Sequence, residues 1–379
     1  MRSTTRLGFV SIALSAGIAS ADAPAPVAPT LKITGYIETF YQYNVNRPSN
    51  LVTAYRAYDD RSSSFTISDA VLDVTGEVGA VTTRIALQVG HAPATYYGGE
   101  PVYPAQAGTG PTGPEVWRVI QQAIIGYKVH DLQTEAGIFL SPVGVEGIAI
   151  KDQWNWSRST PFAALPSYHA GVRLTYPLSD EVTGVVLVTN GWNDIVNRNP
   201  YPCVAAIVSY APTSTLSGQV LYFGGIEPAH GAPEGQPWRH LFDVTATWNA
   251  TDQVSVEMQA DTGFEPNTFG TSHWLDGAGY VRIHPERRLY VAARIDYFHE
   301  YDAPGASRLF FPANDTGSLT LTTDVRPADN LSVRLEYRHD RANAEMFYKG
   351  EVARDVMSGT DIPTARSQQT LTLGATTWF

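Results

Sequence analysis

Apolar residues recur at every second position in segments of about 9–13 residues, from Lys32 to the C-terminal Phe379. A period of two places those side chains on one face of a strand. In 32–46 that face holds Ile33, Gly35, Ile37, Thr39, Tyr41, Tyr43 and Val45. In 81–91 it holds Val81, Thr83, Ile85, Leu87 and Val89, and in 289–300 Leu289, Val291, Ala293, Ile295 and Tyr297. About 16 such segments are present, near 32–46, 65–78, 81–91, 116–129, 132–142, 167–178, 182–190, 202–210, 214–225, 238–249, 253–262, 273–284, 289–300, 317–326, 331–340 and 367–379.

The connections differ in length. Short ones carry turn residues: Gly79-Ala80, His130-Asp131, Ala250-Thr251-Asp252, Pro285-Glu286-Arg287 and Pro327-Ala328-Asp329-Asn330. Long ones run over 92–115, 143–166, 301–316 and 341–366. Short turns at one end and long loops at the other predict an all-β fold, a transmembrane antiparallel up-and-down β-barrel of about 16 strands. An even count also returns both chain ends to the same side.

Charged residues within the strands avoid the apolar parity. Glu38, Asp69, Asp73, Glu77, Arg84, Arg118, Glu135, Arg173, Asp243, Glu257, Asp261, Asp276, Arg282, Arg294, Asp296, Asp324, Arg334 and Glu336 fall on the opposite one and are the predicted lumen-facing groups. A soluble β-sandwich would segregate charge in the same way. Aromatics separate the two cases, because on the apolar parity they gather at strand ends. Tyr127, Tyr176, Tyr210, Trp248 and Phe379 close strands at the short-turn end. Tyr43, Trp117, Tyr168, Tyr222, Trp238, Tyr297 and Tyr337 mark the long-loop end. Two belts of amphipathic rings are what a bilayer selects, whereas a soluble core would place its rings centrally. An arginine at Leu373 should then meet lipid, and one at Thr372 should point into water.

The amino terminus predicts export. Arg2 and Arg6 form a basic region, Leu7 to Ala19 is apolar, and Ala21-Asp22-Ala23 is a small-x-small cleavage site. Residues 1–23 read as a signal peptide, with cleavage after Ala21 as the neighbouring choice, and 24–31 as a flexible mature terminus before the barrel of 32–379. Loss of Arg2, Arg6 and Asp22 moves the formal charge from −11 to −12. An acidic chain without basic runs argues against nucleic acid as a partner. Cys203 is the only cysteine, which rules out an intrachain disulfide and a cysteine-based zinc site. No later stretch is long and apolar enough for a helical span. The last strand places Leu371, Leu373, Ala375, Thr377 and Phe379 on one face, an ending that resembles the signal read by the outer-membrane barrel-assembly machinery.

Several segments resemble the β-barrel porin-2 (OmpL-like) family: TGYIETFYQYN at 34–44, the Arg-Ala-Tyr-Asp run at Arg56–Asp59, SFTISDAVLDV at 64–74, AGIFLSPVGVEG at 136–147, YHAGVRLTYPL at 168–178 and VTNGWNDIVNRNP at 188–200. The element Asn190–Asn193 (NGWN) is the most recognisable. The resemblance spans nearly all of the mature chain and implies a barrel in the outer membrane of a Gram-negative-type bacterium.

The sequence carries no recognisable catalytic, cofactor or metal motif, so no residue is expected to be catalytic. A lumen walled by about 16 strands is too wide for side chains alone to fill, so an aqueous channel for passive diffusion of small hydrophilic solutes or ions is expected. The excess of carboxylates in the wall predicts a weak preference for cations. The loop 143–166, with Glu146, Lys151, Asp152 and Arg158 beside Trp154, Trp156 and Phe162, is a candidate constriction if it folds inward. The alternatives are a structural or adhesive barrel with a plugged lumen, and a barrel lipase. Expected partners are outer-membrane lipid, the assembly machinery and further copies of this chain.

Overall fold

The computed structural model describes residues 28–102 and 113–379. The predicted signal segment lies outside the described residues.

The strands are β1 (Thr30–Asn44), β2 (Ser64–Val78), β3 (Val81–Val89), β4 (Ile120–Val129), β5 (Leu132–Leu140), β6 (Tyr168–Pro177), β7 (Val182–Thr189) and β8 (Cys203–Thr213). They continue with β9 (Leu216–Ile226), β10 (Trp238–Asn249), β11 (Val254–Asn267), β12 (Gly270–Glu286), β13 (Leu289–Tyr301), β14 (Asp315–Ala328), β15 (Leu331–Ala342) and β16 (Ser367–Trp378). Each strand pairs antiparallel with its sequence neighbours, and β1 pairs with β16 to close the barrel. Closure removes the open sheet edges that could not be satisfied in a bilayer.

The apolar parity faces outward. Ile33, Ile37, Ile85, Leu87, Ile125, Val186, Val208, Leu319, Leu335 and Leu373 are exposed on the outside. One irregularity resets the pattern: Glu38 pairs with Asp69 while Thr39 pairs with Ile67, which leaves Ser68 as a bulge. The bulge lets Phe65 and Ile67 point outward although Asp69 points inward. At the closure, Phe379 exchanges backbone hydrogen bonds with Gly35, and its ring occupies space that a side chain at position 35 would need.

Four expectations need correction. Arg118 is not in the barrel wall. Pro114 opens a short helix over Pro114–Trp117, Arg118 is its exposed C-terminal neighbour, and β4 begins only at Ile120. Trp117 therefore also leaves the predicted belt. Tyr168 is fully buried rather than facing lipid, because Tyr97 covers it at a centroid distance of 4.6 Å. Its hydroxyl donates to Glu100, at 2.7 Å, and lies 2.7 Å from the Asn193 carbonyl. Thr372 faces inward but is buried, so an arginine there would not reach water.

The inward face is not uniformly polar. Towards the long-loop end, Phe139, Leu187, Ala205, Phe223, Leu241, Trp274 and Phe298 form a buried apolar cluster. Loop residues Val143, Leu165, Trp192, Phe311, Met346 and Phe347 complete it. Trp192 belongs to the NGWN element. Its neighbour Asn193 has a positive φ of 60° and uses its side-chain oxygen to accept the Ser167 and Tyr168 N–H groups.

Candidate functional site

The segment 143–166 folds into the barrel and is pinned to one arc of its wall. Buried polar backbone must find partners, and the wall supplies them. Val145 N–H donates to Gln259 on β11 (3.0 Å), and Thr160 N–H to Asp296 on β13 (3.1 Å). Ile150 N–H donates to Glu38 on β1 at 2.5 Å. The Glu336 carboxylate on β15 takes two successive amides, Trp156 at 2.6 Å and Ser157 at 3.0 Å. Arg334 donates to the carbonyls of Ile150 and Asn155, at 2.9 and 3.2 Å. The indole of Trp156 lies on Gly374 of β16, where no β-carbon could be accommodated, with its centroid 5.8 Å from the Phe40 ring.

The four charged residues of this loop divide into two pairs of different use. Glu146 forms a buried ion pair with Arg294 at 2.9 Å and also accepts the Ser159 amide. Arg158 donates to the carbonyls of Gly147 and Trp156, both at 2.8 Å, and to Ile148, which staples the loop to itself. Neither is a free charge. Lys151 and Asp152 differ, pairing with each other at 2.7 Å and remaining partly exposed.

Across from them stands the arc that the loop leaves uncovered. Asp73 and Arg84 pair at 2.6 Å between β2 and β3, and Glu135 and Arg173 at 2.7 Å between β5 and β6, all four partly exposed. A cavity of about 330 Å³ opens between loop and wall, lined by Lys32, Tyr36, Asp73, Arg84, Gln121, Gln122, Lys151 and Asp152. The remaining predicted wall groups occupy inward register positions. Asp69, Asp243, Asp261, Asp276, Arg294, Asp296, Asp324, Arg334 and Glu336 are buried, whereas Glu77 is exposed and Glu257 and Arg282 are intermediate. Arg282 stacks over the Trp154 ring at 4.6 Å.

Sequence reasoning missed Arg338 and Asp340, which pair at 2.6 Å and continue the inward row of Arg334 and Glu336. The parity of β15 carries that signal. It also missed Arg56, which reaches inward from the loop after β1 to Asp340 at 3.1 Å. No periodicity could have placed a loop residue there. Among the described residues, no group of three or more His, Cys, Asp or Glu is arranged to hold a metal ion.

A closed barrel with an inward loop between long and short connections defines an outer-membrane barrel of the porin class. The model of the family described as "Putative beta-barrel porin-2, OmpL-like" matches residues 30–379, and the chain belongs to that family. No curated protein matches the sequence. The fold is similar to an anion-selective porin from Comamonas acidovorans, with TM-score 0.61 and 10% identity over 93% of this chain and 100% of that one. It is also similar to DcaP, an outer membrane channel of Acinetobacter baumannii, with TM-score 0.59 and 10% identity over 93% and 97% of the two chains. OmpT of Vibrio cholerae, described as a trimer form, gives TM-score 0.58 and 10% identity over 93% of this chain and 100% of that one. The family and these folds agree in an outer-membrane location.

Proposed function

We propose that the barrel is a passive channel for small hydrophilic solutes and ions, with a slight preference for cations. Its path runs past Lys151 and Asp152. One observation carries the reading: the loop is pinned to one arc, leaving against the other a cavity that charged and amide side chains share with Leu140, Ala149, Trp378 and Phe379. Apart from Lys32, the exposed charges lining the path come as opposite pairs. Paired charges cancel over the screening length of roughly 8–10 Å, so neither ion sign is strongly rejected. The carboxylate excess counted from the sequence is largely buried away from the path, while the chain's net charge of −11 favours cations weakly. Pores that exclude by size leave hydrated sugars and amino acids as the solutes of this class.

The apolar cluster beneath the long loops favours a second reading, a plugged structural barrel. Liposome swelling separates the two. The channel reading expects swelling whose rate falls as the sugar is enlarged, with a small potassium-side reversal potential across a KCl gradient. Absence of swelling would favour the plug. The barrel is proposed to act as a homo-oligomer and to be assembled through its last strand and Phe379. Crosslinking in membranes tests the first, and deletion of Phe379 the second.

A further inference from the structure

One of the cavities away from the channel path lies on the outer surface near the long loops. Tyr297, Gly317 and Arg341 are register partners across β13, β14 and β15. All three sit on the outward parity near the long-loop end. Gly317 therefore leaves a notch one side chain wide between a phenol ring and a guanidinium. The notch opens into a cavity of about 480 Å³ that Asp315, Asn343 and Arg366 also line. One row nearer the middle of the strands come Ile295, Leu319 and His339, and beyond them Ala293, Leu321 and Tyr337. The surface thus passes from aliphatic to cationic along the strand axis.

The two arginines are available. Arg341 and Arg366 are exposed, and neither makes a side-chain hydrogen bond or ion pair among the described residues. Asp315, the acid of the cavity, is engaged by Tyr297, by His299 at 2.8 Å and by Asn343 at 2.6 Å. Cations beside lipid settle at the headgroup level, and the planar guanidinium fork matches phosphate in two-point hydrogen bonding. Basic pockets at this depth recognise anionic headgroups.

We propose that this cavity binds a phosphorylated lipid of the outer leaflet. An acyl chain lies over Gly317 and Leu319, and the phosphate sits between Arg341 and Arg366. The site is independent of the channel reading, since none of these residues faces the lumen path.

Native mass spectrometry of the full-length folded protein tests it, with bisphosphorylated lipid A and fully dephosphorylated lipid A as probes. The parent should retain the bisphosphorylated lipid at least about tenfold better than the Arg341→Ala/Arg366→Ala variant. Removing the phosphates should lower the parent to the level of that variant. Arg288→Ala, at the opposite rim, should bind as the parent does. Heat-modifiable gel mobility establishes that each variant is folded. Equal retention by parent and double variant would overturn the proposal, and so would equal retention of the two lipids by the parent.

Discussion

Glu146 of the inward loop and Arg294 of β13 form an ion pair at 2.9 Å from which water is excluded. Arg294 also pairs with Asp296 at 3.1 Å and donates to the Ser157 carbonyl at 2.5 Å. A cation held by two carboxylates and the carbonyls of Ser157 and Arg158 ties loop to wall. Arg294→Ala leaves Glu146 buried without its partner, and breaking such a pair costs about 3–5 kcal/mol. Urea unfolding of the barrel in vesicles should show that loss. A loss below about 1 kcal/mol would mean that the loop is held elsewhere.

Gly374 and Trp156 supply a second, apolar attachment. Gly374→Ala puts a methyl group where the indole lies. Overpacking of this kind costs about 1–3 kcal/mol and should lift the loop from β16. Trypsin cleavage after Lys151 or Arg158 reads the effect. The parent should resist and the variant should be cut, while equal resistance would show that the indole is not seated on position 374.

The strands were legible because a bilayer enforces a period of two on every one of them, with lipid fixing the parity. The 273–284 segment shows the limit: β12 extends to Gly270–Glu286 and closes on β11 through a tight hairpin at Asn267 and Gly270. Polar residues paired across strands there carry no apolar alternation to mark them. Tyr168 was misread because its parity is outward while its burial comes from Tyr97, far away in sequence. Most of the inward-facing strand charges were legible from parity, but Arg118 lies off the wall and Arg338 and Asp340 were missed. Which of the inward charges meet water was not legible, since that depends on where 143–166 lies. The loop itself offered composition without periodicity.

Adjacent residues on β8 test the parity directly. Val208 faces outward and is exposed, whereas Ser209 faces inward and is half-buried. Val208→Arg places a cation against lipid, at about 2–4 kcal/mol near the midplane. Ser209→Arg should cost much less. Comparing unfolding free energies of the two variants decides it, and equal costs would contradict the assignment of faces.

The loop 190–202 should respond to pH through Asp194. Burial raises its carboxyl to about 7, with Arg198 opposing and Glu227 and Glu100 adding to the rise. A carboxyl with a raised folded value stabilises its loop fully below its unfolded value near 4, and that contribution is lost as pH rises towards 7. Hydrogen exchange across 190–202 should therefore be slower at pH 5 than at pH 8 once intrinsic rates are corrected. Asp194→Asn should abolish the difference. A difference of the same size in that variant would assign the pH response to another group.

Whether solutes pass Asp152 is the central question, and a thiol placed there answers it. Cys203 is fully buried, so the parent offers no accessible competitor. Single channels of Asp152→Cys are recorded in planar bilayers, and a cationic methanethiosulfonate reagent is added to one chamber. The parent should show stepwise conductance that the reagent leaves unchanged. The variant should lose current in discrete steps as the thiol reacts, and a reducing agent should restore it. Conductance of the variant that stays the same after complete modification would contradict the account, because the path would then run elsewhere.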